Sequence, residues 1–544
     1  MNIKIRNSLF INTIVIALLL VLSACSNSSK STTTSTKKVL NWMQTSEITT
    51  LDPSLPMDTA SESQIIDSNE GLFRYGNKNK LEKGLAKTET VSKNGLTRTY
   101  TLRKSKWSNG QSVTAKDFVY GWKRTVDPKT GSQYSYLFSG VKNADAIMAG
   151  KKDYDSLGVK AIGKYKFVVH FDKRVPYFDQ LLTKPYFFPE NEKAVKKYGS
   201  KYGTSSKYVL SNGPYNLVNW NSGKNSWKLE KNKYYWDAKD VKTKTINMSI
   251  QKTTSTAYDL YQAGKLDATE LDSNQAKNLK NNKGFHLYSP DSSNYLVFNI
   301  AKNKFLKNPD IRRAISLAVS RKNMVQALGP TSKVANTISP AGLNKVKGHD
   351  YIAMISNTSK SYSPSSANKK LAQKYLNKGL SELGVDKVSF KISASDSDLN
   401  EKVTEVFQSQ LEMNLKNVSV EVQNLPAKAL MGRIASSDYD ILSVAIGGDY
   451  NDPASILDGL VTSGSFNYGG WSNQQYDKLI SQASNEGSSS KRYKLLAQAE
   501  GIALKDEVWS PLFSMVDPWL IRENVHGVVY NSDIWDLKTA YVTK

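Results

Sequence analysis

The sequence predicts a large α/β protein built from two or three lobes. Its 544 residues are too many for one ordinary hydrophobic core. The composition, with 39% hydrophobic and 23% charged residues, is typical of a globular protein. Stretches with the patterns of strands and of helices alternate along the chain, which favours a mixed α/β architecture.

The beginning of the chain has the pattern of an export signal. Lys4 and Arg6 form a positively charged start, and an apolar run interrupted by Asn12 and Thr13 follows over residues 9–22. This run of 14 residues is shorter than the roughly 20 that an ordinary transmembrane helix needs. We therefore predict a signal peptide that ends at residue 24.

The apolar run ends in Leu22-Ser23-Ala24-Cys25, and Cys25 is the only cysteine of the sequence. Small side chains fit the narrow cleft of a signal peptidase, and a thiol is a nucleophile that can carry lipid. The segment resembles the lipobox of bacterial lipoproteins, which implies cleavage before Cys25 and its lipidation. Two acyl chains would anchor the protein stably to the membrane. The alternative is an incidental cysteine that follows an uncleaved anchor.

The segment 25–38, which begins with this cysteine, is polar and of low complexity and predicts a flexible tether. Folded structure is expected to begin near Val39. The net charge of +25 could indicate nucleic acid or an anionic surface as the partner. Because the export signal places the chain outside the cell, we expect anionic polymers and lipids of a Gram-positive cell surface, and no nucleic acid.

Periodicity predicts the main elements of the folded part. Strands are expected at 166–172, 294–300, 418–425 and 440–448. Helices are expected at 115–126, 309–328, 401–415 and 489–504. In the second of these helices, Ile311 and Ile315 fall on one face, and the arginines are expected to point away from it. Thr114 and Asp117 predict a capping box for the first helix, after a tight turn at Asn109-Gly110.

The sequence contains no recognisable catalytic motif. Its four histidines, at positions 170, 286, 349 and 526, are isolated and lack metal-ligand spacing. There is no GxSxG elbow, HExxH motif or P-loop. Carboxylate pairs such as Asp438 and Asp440 leave a glycosidase open as an alternative. We predict a protein that is not an enzyme and that needs neither a metal nor another cofactor.

Several segments, in their order along the chain, resemble the extracytoplasmic solute-binding proteins of family 5, and within it the oligopeptide-binding branch. One of them, YTLRKSKWSNGQSVTAKDFVYGWKR, resembles the signature of the family, and another is GGDYNDPASILDGL. The similar segments are 46–76, 100–124, 211–220, 232–237, 261–269, 309–325, 447–460 and 499–513. The resemblance spans roughly residues 40–544.

The resemblance implies a periplasmic-binding-protein-like fold with two lobes joined by a hinge and an additional third domain. The first lobe is expected to be discontinuous, from 39–69, 206–290 and 510–544. The third domain is expected at 70–205, and the second lobe at 291–509. Such a protein encloses its ligand when the hinge closes. The implied function is the capture of peptides for the permease of an ABC importer, by a protein expected to be a monomer.

A binder of varied peptides should hold the parts that all peptides share. An enclosed ammonium needs a carboxylate, because an unpaired buried charge is costly. Asp449 lies where the family has its ammonium-binding aspartate, so the resemblance implies that Asp449 holds the peptide N-terminus. The alternative is that Asp449 only caps a loop together with Asn451 and Pro453.

The resemblance also assigns roles to the neighbours of this aspartate. The backbone of Ala445, Ile446, Gly447 and Gly448 would pair with the peptide as an added strand, and the glycines would permit close approach. Tyr450 is expected to hold the loop, as is Asn451. On the first lobe, Asp58 lies near the position of a ligand-contacting acid of the family.

The sequence departs from the enteric pattern of the family at four positions. Ile446 replaces a tryptophan, Ser443 a basic residue and Asn400 a histidine, and a second tryptophan is missing near Pro426. Losing two large rings and two carboxylate-binding groups favours a ligand longer than a tripeptide, or one with a less tightly held C-terminus. A murein peptide, a pheromone, haem or a nickel chelate remains possible for the same fold.

Overall fold

The computed structural model describes residues 36–37, 39–56, 58–77, 80–289 and 291–543. The predicted signal peptide and Cys25 lie outside these residues. Most of the predicted tether lies outside them as well, but Thr36–Lys37 form a strand, so regular structure begins slightly before the expected Val39. In the described part of the chain, no helix combines the length and the apolar character that crossing a bilayer requires.

The elements fall into a main lobe, an inserted domain and a second lobe, which the chain visits in turn. The main lobe begins with β1 (Thr36–Lys37), β2 (Val39–Gln44) and α1 (Thr59–Ser68). The inserted domain contains β3 (Phe73–Tyr75), β4 (Leu81–Lys83), β5 (Ala86–Val91), β6 (Thr97–Leu102), β7 (Ser105–Lys106), β8 (Ser112–Val113), α2 (Ala115–Val126), α3 (Ala144–Met148), β9 (Val159–Ile162), β10 (Lys166–His170), α4 (Phe178–Leu181) and α5 (Glu192–Tyr198). The chain returns to the main lobe with β11 (Tyr215–Val218), β12 (Ser226–Lys231), β13 (Thr245–Ile250), α6 (Thr254–Gln262), β14 (Ala268–Glu270), α7 (Ser273–Leu279) and β15 (Phe285–Tyr288).

The second lobe follows, and the chain then ends in the main lobe. The second lobe contains β16 (Ser292–Phe298), α8 (Pro309–Ala318), α9 (Arg321–Leu328), β17 (Ser332–Val334), β18 (Lys345–Val346), β19 (His349–Asp350), α10 (Asn357–Lys360), α11 (Lys369–Leu383), β20 (Val388–Ser395), α12 (Asp398–Asn414), β21 (Val418–Leu425), α13 (Ala427–Ser436), β22 (Ile441–Gly447), α14 (Ala454–Leu457), α15 (Gln474–Asn485), α16 (Ser489–Lys505) and β23 (Trp509–Met515). The last elements are β24 (Asp517–Ile521), β25 (Val525–His526), β26 (Val529–Asn531), β27 (Ile534–Asp536) and β28 (Tyr541–Thr543). Short 3-10 turns lie at Pro128–Thr130, Ser135–Phe138, Tyr154–Ser156, Pro185–Phe187, Gly199–Lys201, Ser206–Tyr208, Ala238–Asp240, Tyr351–Met354 and Asp458–Leu460.

Each part of the molecule is built around its own sheet. The main lobe has a four-stranded sheet in the order β11-β12-β13-β2, and the inserted domain one in the order β5-β6-β10-β9. The second lobe has a six-stranded sheet in the order β17-β23-β16-β22-β20-β21. Tyr295 and Val297 of β16 pack into one core of this lobe, and Leu296 and Phe298 pack into another. Both faces of the sheet are therefore covered, which explains the continuous apolar run of β16.

Two short crossings join the lobes. The chain passes from β15 of the main lobe to β16 of the second lobe, and it returns through Val516 between β23 and β24. The strands that flank these two connections pair with each other on each side of the hinge: β15 with β24 in the main lobe, and β16 with β23 in the second lobe. The expected boundary at residue 509 is wrong, because Ser510 to Met515 pair inside the six-stranded sheet and so belong to the second lobe.

The predicted strands all form, and the predicted cap of α2 is confirmed. The Thr114 N–H donates to the Asp117 carboxylate over 2.7 Å. Gly110 has a φ of 86°, as the tight turn requires. In both the main lobe and the second lobe, strands and helices are mixed as expected for an α/β fold.

The long helix expected at 309–328 is wrong, because it is two helices. Val319 is extended, and the Ser320 hydroxyl caps α9 by accepting the Asn323 N–H over 3.2 Å. The arginines do not point away either, since Arg312 is 4% exposed and Arg321 is fully buried. Arg321 donates to backbone carbonyls, including that of Pro511 at 2.6 Å. Carbonyl acceptors satisfy the guanidinium donors and so permit their burial.

Candidate functional site

A cleft between the lobes lies at the end of β22. It contains a cavity of about 180 Å³. The second lobe contributes Asp291, Ser292, Gly447, Gly448 and Asp449 to its lining, and the other lining residues come from the main lobe and the inserted domain. These others are Thr59, Glu62, Tyr134, Leu137, Lys184, Tyr186, Ser532, Asp533 and Ile534. A ligand here would touch both sides of the hinge.

The Asp449 carboxylate faces this cavity, just beyond the end of β22. It accepts a hydrogen bond of 2.7 Å from the Tyr136 hydroxyl, which belongs to the inserted domain. Burial raises the pKa of Asp449, while the Tyr136 bond and the nearby Lys184 oppose this effect. Such a carboxylate would gain from a cation that arrives in the cleft.

The capping role that the alternative assigned to Asp449 is performed by a neighbour. The carboxylate of Asp452 accepts the Ala454 N–H over 3.0 Å. Asp452 also binds Arg492 through two hydrogen bonds of 2.7 and 2.8 Å, and it accepts one of 2.9 Å from Tyr493. Because Asp452 holds the loop, Asp449 is left directed at the cleft.

The register of β22 decides which of its backbone groups face outward. The Gly448 N–H donates to the Asp291 carbonyl over 3.1 Å, and Ser293 opposite Ile446 continues this antiparallel ladder. In such a ladder the intervening residues direct their N–H and C=O groups away from the partner strand. The outward groups are therefore those of Ala445 and Gly447, whereas Ile446 and Gly448 are engaged with β16.

The outward edge of β22 is open next to the cavity. On that side β20 pairs with β22 only at Ile441 and Leu442 in the described part of the chain. Ala445 is exposed, and Gly447 lines the cavity. The N–H and C=O groups of these two residues therefore have no partner strand, and an extended chain could pair with them.

The remaining sequence-predicted residues have structural contacts. A Cβ on Gly448 would lie 2.2 Å from the Ser455 hydroxyl, so this glycine serves close packing within the lobe. Tyr450 is 8% exposed and stacks on Tyr177 of the inserted domain, with ring centroids 4.4 Å apart. Asn451 is buried, and its side-chain oxygen lies 3.3 Å from the Ser532 hydroxyl.

Asp58 does not join Asp449 in the cleft. It caps α1 by accepting the Ser61 N–H over 2.7 Å, and it also accepts from the hydroxyls of Thr49 and Ser61 at 2.5 and 2.9 Å. These donors occupy its carboxylate, and Thr59 rather than Asp58 lines the cavity. The structure thus places this candidate in a capping role.

Sequence reasoning missed several polar residues of the cleft. Tyr136 contacts Asp449, and Glu62 accepts a bond of 2.5 Å from Tyr186 and lies 3.4 Å from the Lys184 ammonium. Burial lowers the pKa of Lys184, but Glu62, Asp449 and Asp291 together raise it above its ordinary value. Asp291 accepts from Ser532, and burial raises its pKa to about 6. No sequence pattern marks these residues, because they come together only through folding.

The cleft is lined by two lobes, and the two short connections between the lobes form a hinge beside it. This arrangement defines the class of solute-binding proteins that close around a ligand. Residues 80–468 match the model of the bacterial extracellular solute-binding proteins, family 5. The described residues contain no cluster of His, Cys, Asp and Glu side chains that could hold a metal ion. The chain belongs to this family.

Curated relatives cover nearly the whole chain. The dipeptide-binding protein of Lactococcus lactis is 33% identical over 93% of this chain and 95% of its own. The oligopeptide-binding protein OppA of Bacillus subtilis is 32% identical over 95% of this chain and 96% of its own. The fold expected from the sequence is confirmed by solved structures, which match at TM-scores of 0.73 to 0.80.

Two of these structures differ in their state. Listeria monocytogenes OppA bound to peptide matches with 33% identity and a TM-score of 0.73, over 94% of this chain and all of the other. The unliganded open form of the murein tripeptide-binding protein MppA matches with 26% identity and a TM-score of 0.80, over 93% of this chain and 98% of the other.

Proposed function

We propose that this chain is the lipid-anchored, substrate-binding component of an oligopeptide ABC importer on a Gram-positive cell surface. It captures peptides in the cleft, delivers them unchanged to a membrane permease, and acts as a monomer. Export and lipidation at Cys25 are supported by the sequence pattern alone. Peptide capture is supported by the cleft and by the peptide-binding relatives.

The observation that carries the proposal is the placement of Asp449 beside an open strand edge. A peptide offers an ammonium group and, next to it, a backbone that can form strand hydrogen bonds. Asp449 would neutralise the ammonium, and the outward groups of Ala445 and Gly447 would pair with the backbone. Both contacts use parts that all peptides share, so they do not select for particular side chains.

In the described part of the chain, the two positions that carry a basic residue or a histidine in the enteric pattern have none here. Arg433 lies on α13 and donates to Gln423 over 3.0 Å, and Ser443 and Asn400 replace charged residues of the enteric pattern. A site without a fixed carboxylate partner does not require the peptide to end at one position. This supports peptides longer than tripeptides as the ligands.

The experiment that tests the function is mass spectrometry of ligand that co-purifies with the native protein, followed by calorimetric titration with di-, tri-, penta- and octapeptides. We expect peptides in the native sample and stronger binding of the longer ones. A chemically altered ligand after incubation would indicate an enzyme instead. Strongest binding to dipeptides would overturn the proposed length preference.

The variant Asp449→Ala tests the site. We expect it to lose peptide affinity by tenfold or more, because a charged hydrogen bond contributes about 1.5–3 kcal/mol. Its melting temperature without peptide should change little, because burial already disfavours the Asp449 charge. The matched control is Asp438→Ala, which removes an exposed carboxylate three residues before β22 and should bind like the wild type. Equal affinity of Asp449→Ala and the control would refute the assignment.

A further inference from the structure

A second cavity of about 300 Å³ adjoins the one beside Asp449. The two cavities share Thr59, Ser292 and Asp533 in their linings. The second cavity lies on the main-lobe side of the hinge, where β2 ends and β24 begins. A chain that extends from Asp449 along the cleft could therefore direct a side chain into it.

Three carboxylates line this second cavity: those of Glu270, Asp517 and Asp533. The Tyr530 hydroxyl lies 2.9 Å from Asp517 and 2.6 Å from Asp533. A phenol has one hydrogen to donate, so it cannot satisfy both carboxylates at once. At least one of these two carboxylates can therefore accept a further donor from a ligand.

The charges around these carboxylates are negative as well. Burial and the neighbouring Asp517 and Asp533 raise the pKa of Glu270 to about 7. Burial and Asp533 raise the pKa of Asp517 to about 6. In the described part of the chain, no lysine or arginine is among the groups that shift either pKa. The acids of the Asp449 cavity differ, because Lys184 lies among them.

An independent observation comes from the end of β2. Gln44 lines the cavity and is 8% exposed, yet neither its side-chain oxygen nor its side-chain nitrogen has a hydrogen-bond partner. A buried amide without partners costs free energy, which a ligand that supplies them would recover. The amide oxygen needs a donor, as the carboxylates do, whereas the amide nitrogen needs an acceptor.

The cavity walls suit a long apolar stem. Trp519 and Trp535 line it and are 4% and 8% exposed, with their ring centroids 4.8 Å apart. Lysine and arginine carry a cationic head with several donors on such a stem. A metal ion is a poor fit, because the described residues form no group of three or more ligating side chains suited to one.

We propose that this second cavity is a subsite for a cationic side chain, lysine or arginine, of the bound peptide. The carboxylates of Glu270 and Asp517 bind its head, and the two tryptophans cover its stem. The inference rests on the proposed function, since it requires that a peptide occupy the cleft. The subsite makes the protein selective for basic peptides, although the net charge of the protein itself is +25.

The test uses calorimetry with the full protein after bound ligand has been removed. The probes are alanine pentapeptides that carry lysine, norleucine or glutamate at one of positions one to four. At one position we expect lysine to bind about tenfold more tightly than norleucine, and glutamate more weakly than both. In the double variant Glu270→Gln/Asp517→Asn the lysine advantage should fall below twofold, while the norleucine peptide keeps its affinity.

The matched control is the double variant Asp259→Asn/Glu523→Gln, which removes two exposed carboxylates from the same lobe. It should keep the full lysine advantage, since neither residue lines the cavity. The subsite is refuted if lysine and norleucine peptides bind equally at every position. It is also refuted if the lysine preference persists in the Glu270/Asp517 variant. Neither result contradicts the proposed function. If the wild type binds no peptide at all, the proposed function fails, and the subsite fails with it.

Discussion

Tyr136 and Asp449 are 313 positions apart in sequence and share a hydrogen bond of 2.7 Å across the cleft. The tyrosine belongs to the inserted domain and the aspartate to the second lobe. The contact therefore joins the two sides of the cleft. Burial and the Asp449 charge raise the pKa of Tyr136, so its hydroxyl remains a donor at neutral pH.

Replacing Tyr136 by Phe should weaken peptide binding about three- to tenfold. The variant loses the bond that helps to keep Asp449 ionised and oriented, and hydrogen bonds in proteins contribute about 1 kcal/mol or more. Calorimetry with one pentapeptide measures the effect. Tyr154→Phe, which removes an exposed hydroxyl from the same domain, is the control. An unchanged affinity of Tyr136→Phe would show that the tyrosine has no part in binding.

Proline at position 445 should interfere with peptide binding more than with folding. The Ala445 N–H points away from β16, so its removal breaks no bond to that strand. We expect Ala445→Pro to lower peptide affinity about tenfold. Val444→Pro removes an N–H that faces β16 and should lower the melting temperature considerably more. If Ala445→Pro melted at a lower temperature than Val444→Pro, the inferred directions of the two backbone N–H groups would be wrong.

The buried pair of Asp452 and Arg492 should be essential for stability. Their side chains are 1% and 4% exposed and lie 2.7 Å apart. Removing Asp452 leaves the buried Arg492 charge without its partner. Asp452→Ala should therefore destabilise the protein by about 3–5 kcal/mol. The exposed pair of Glu47 and Lys252 is the control, and its loss should leave the urea midpoint almost unchanged. Similar midpoints for both variants would contradict the structural role of Asp452.

The acidic subsite predicts a pH effect on the peptide-free protein. The pKa of Glu270 rises from 4.5 to about 7 in the folded state. Protonated Glu270 therefore contributes stability below about pH 4.5, and this contribution is lost as the pH rises through about 7. The variant Glu270→Gln should gain melting temperature relative to the wild type between pH 5 and pH 8. A parallel shift of both proteins over this range would show that Glu270 is not buried as described.

Peptide should also change the shape of the molecule. Because the cleft lies between two lobes that are joined by two short connections, we expect the peptide-free protein to be more extended in solution than the peptide-bound protein. Small-angle X-ray scattering should show a smaller radius of gyration when a bound peptide draws the lobes together. Asp449→Ala at the same peptide concentration should remain extended. A radius that does not depend on peptide would exclude closure on binding.

Local sequence patterns predicted the elements well, because alternation and capping act over a few residues. The Thr114 cap and the strand at β10 are examples. The burial of Arg312 and Arg321 could not be predicted from local sequence patterns. Their partners are backbone carbonyls such as those of Asp506 and Pro511, which only tertiary packing brings close.

The candidate site was predictable only where a motif marks it. Asp449 came from the Asp-Tyr-Asn segment that the family shares, whereas Tyr136 and Lys184 lie in other parts of the chain without a recognisable pattern. Asp58 is a different case, in which the structure shows a local contact that the sequence analysis did not predict. Its position suggested a ligand contact, but the nearby hydroxyls of Thr49 and Ser61 make it a helix cap.

The first described strand, Thr36–Lys37, pairs with the last, Tyr541–Thr543, so both ends of the described chain meet in the main lobe. A lipid at the N-terminus would therefore hold that lobe near the bilayer, and only the other lobe, attached through the crossings beside Asp291 and Val516, would swing. A fluorescent protein fused at the C-terminus would be attached to the main lobe, which stays in place. Probes that report the motion by distance should therefore be attached to the second lobe.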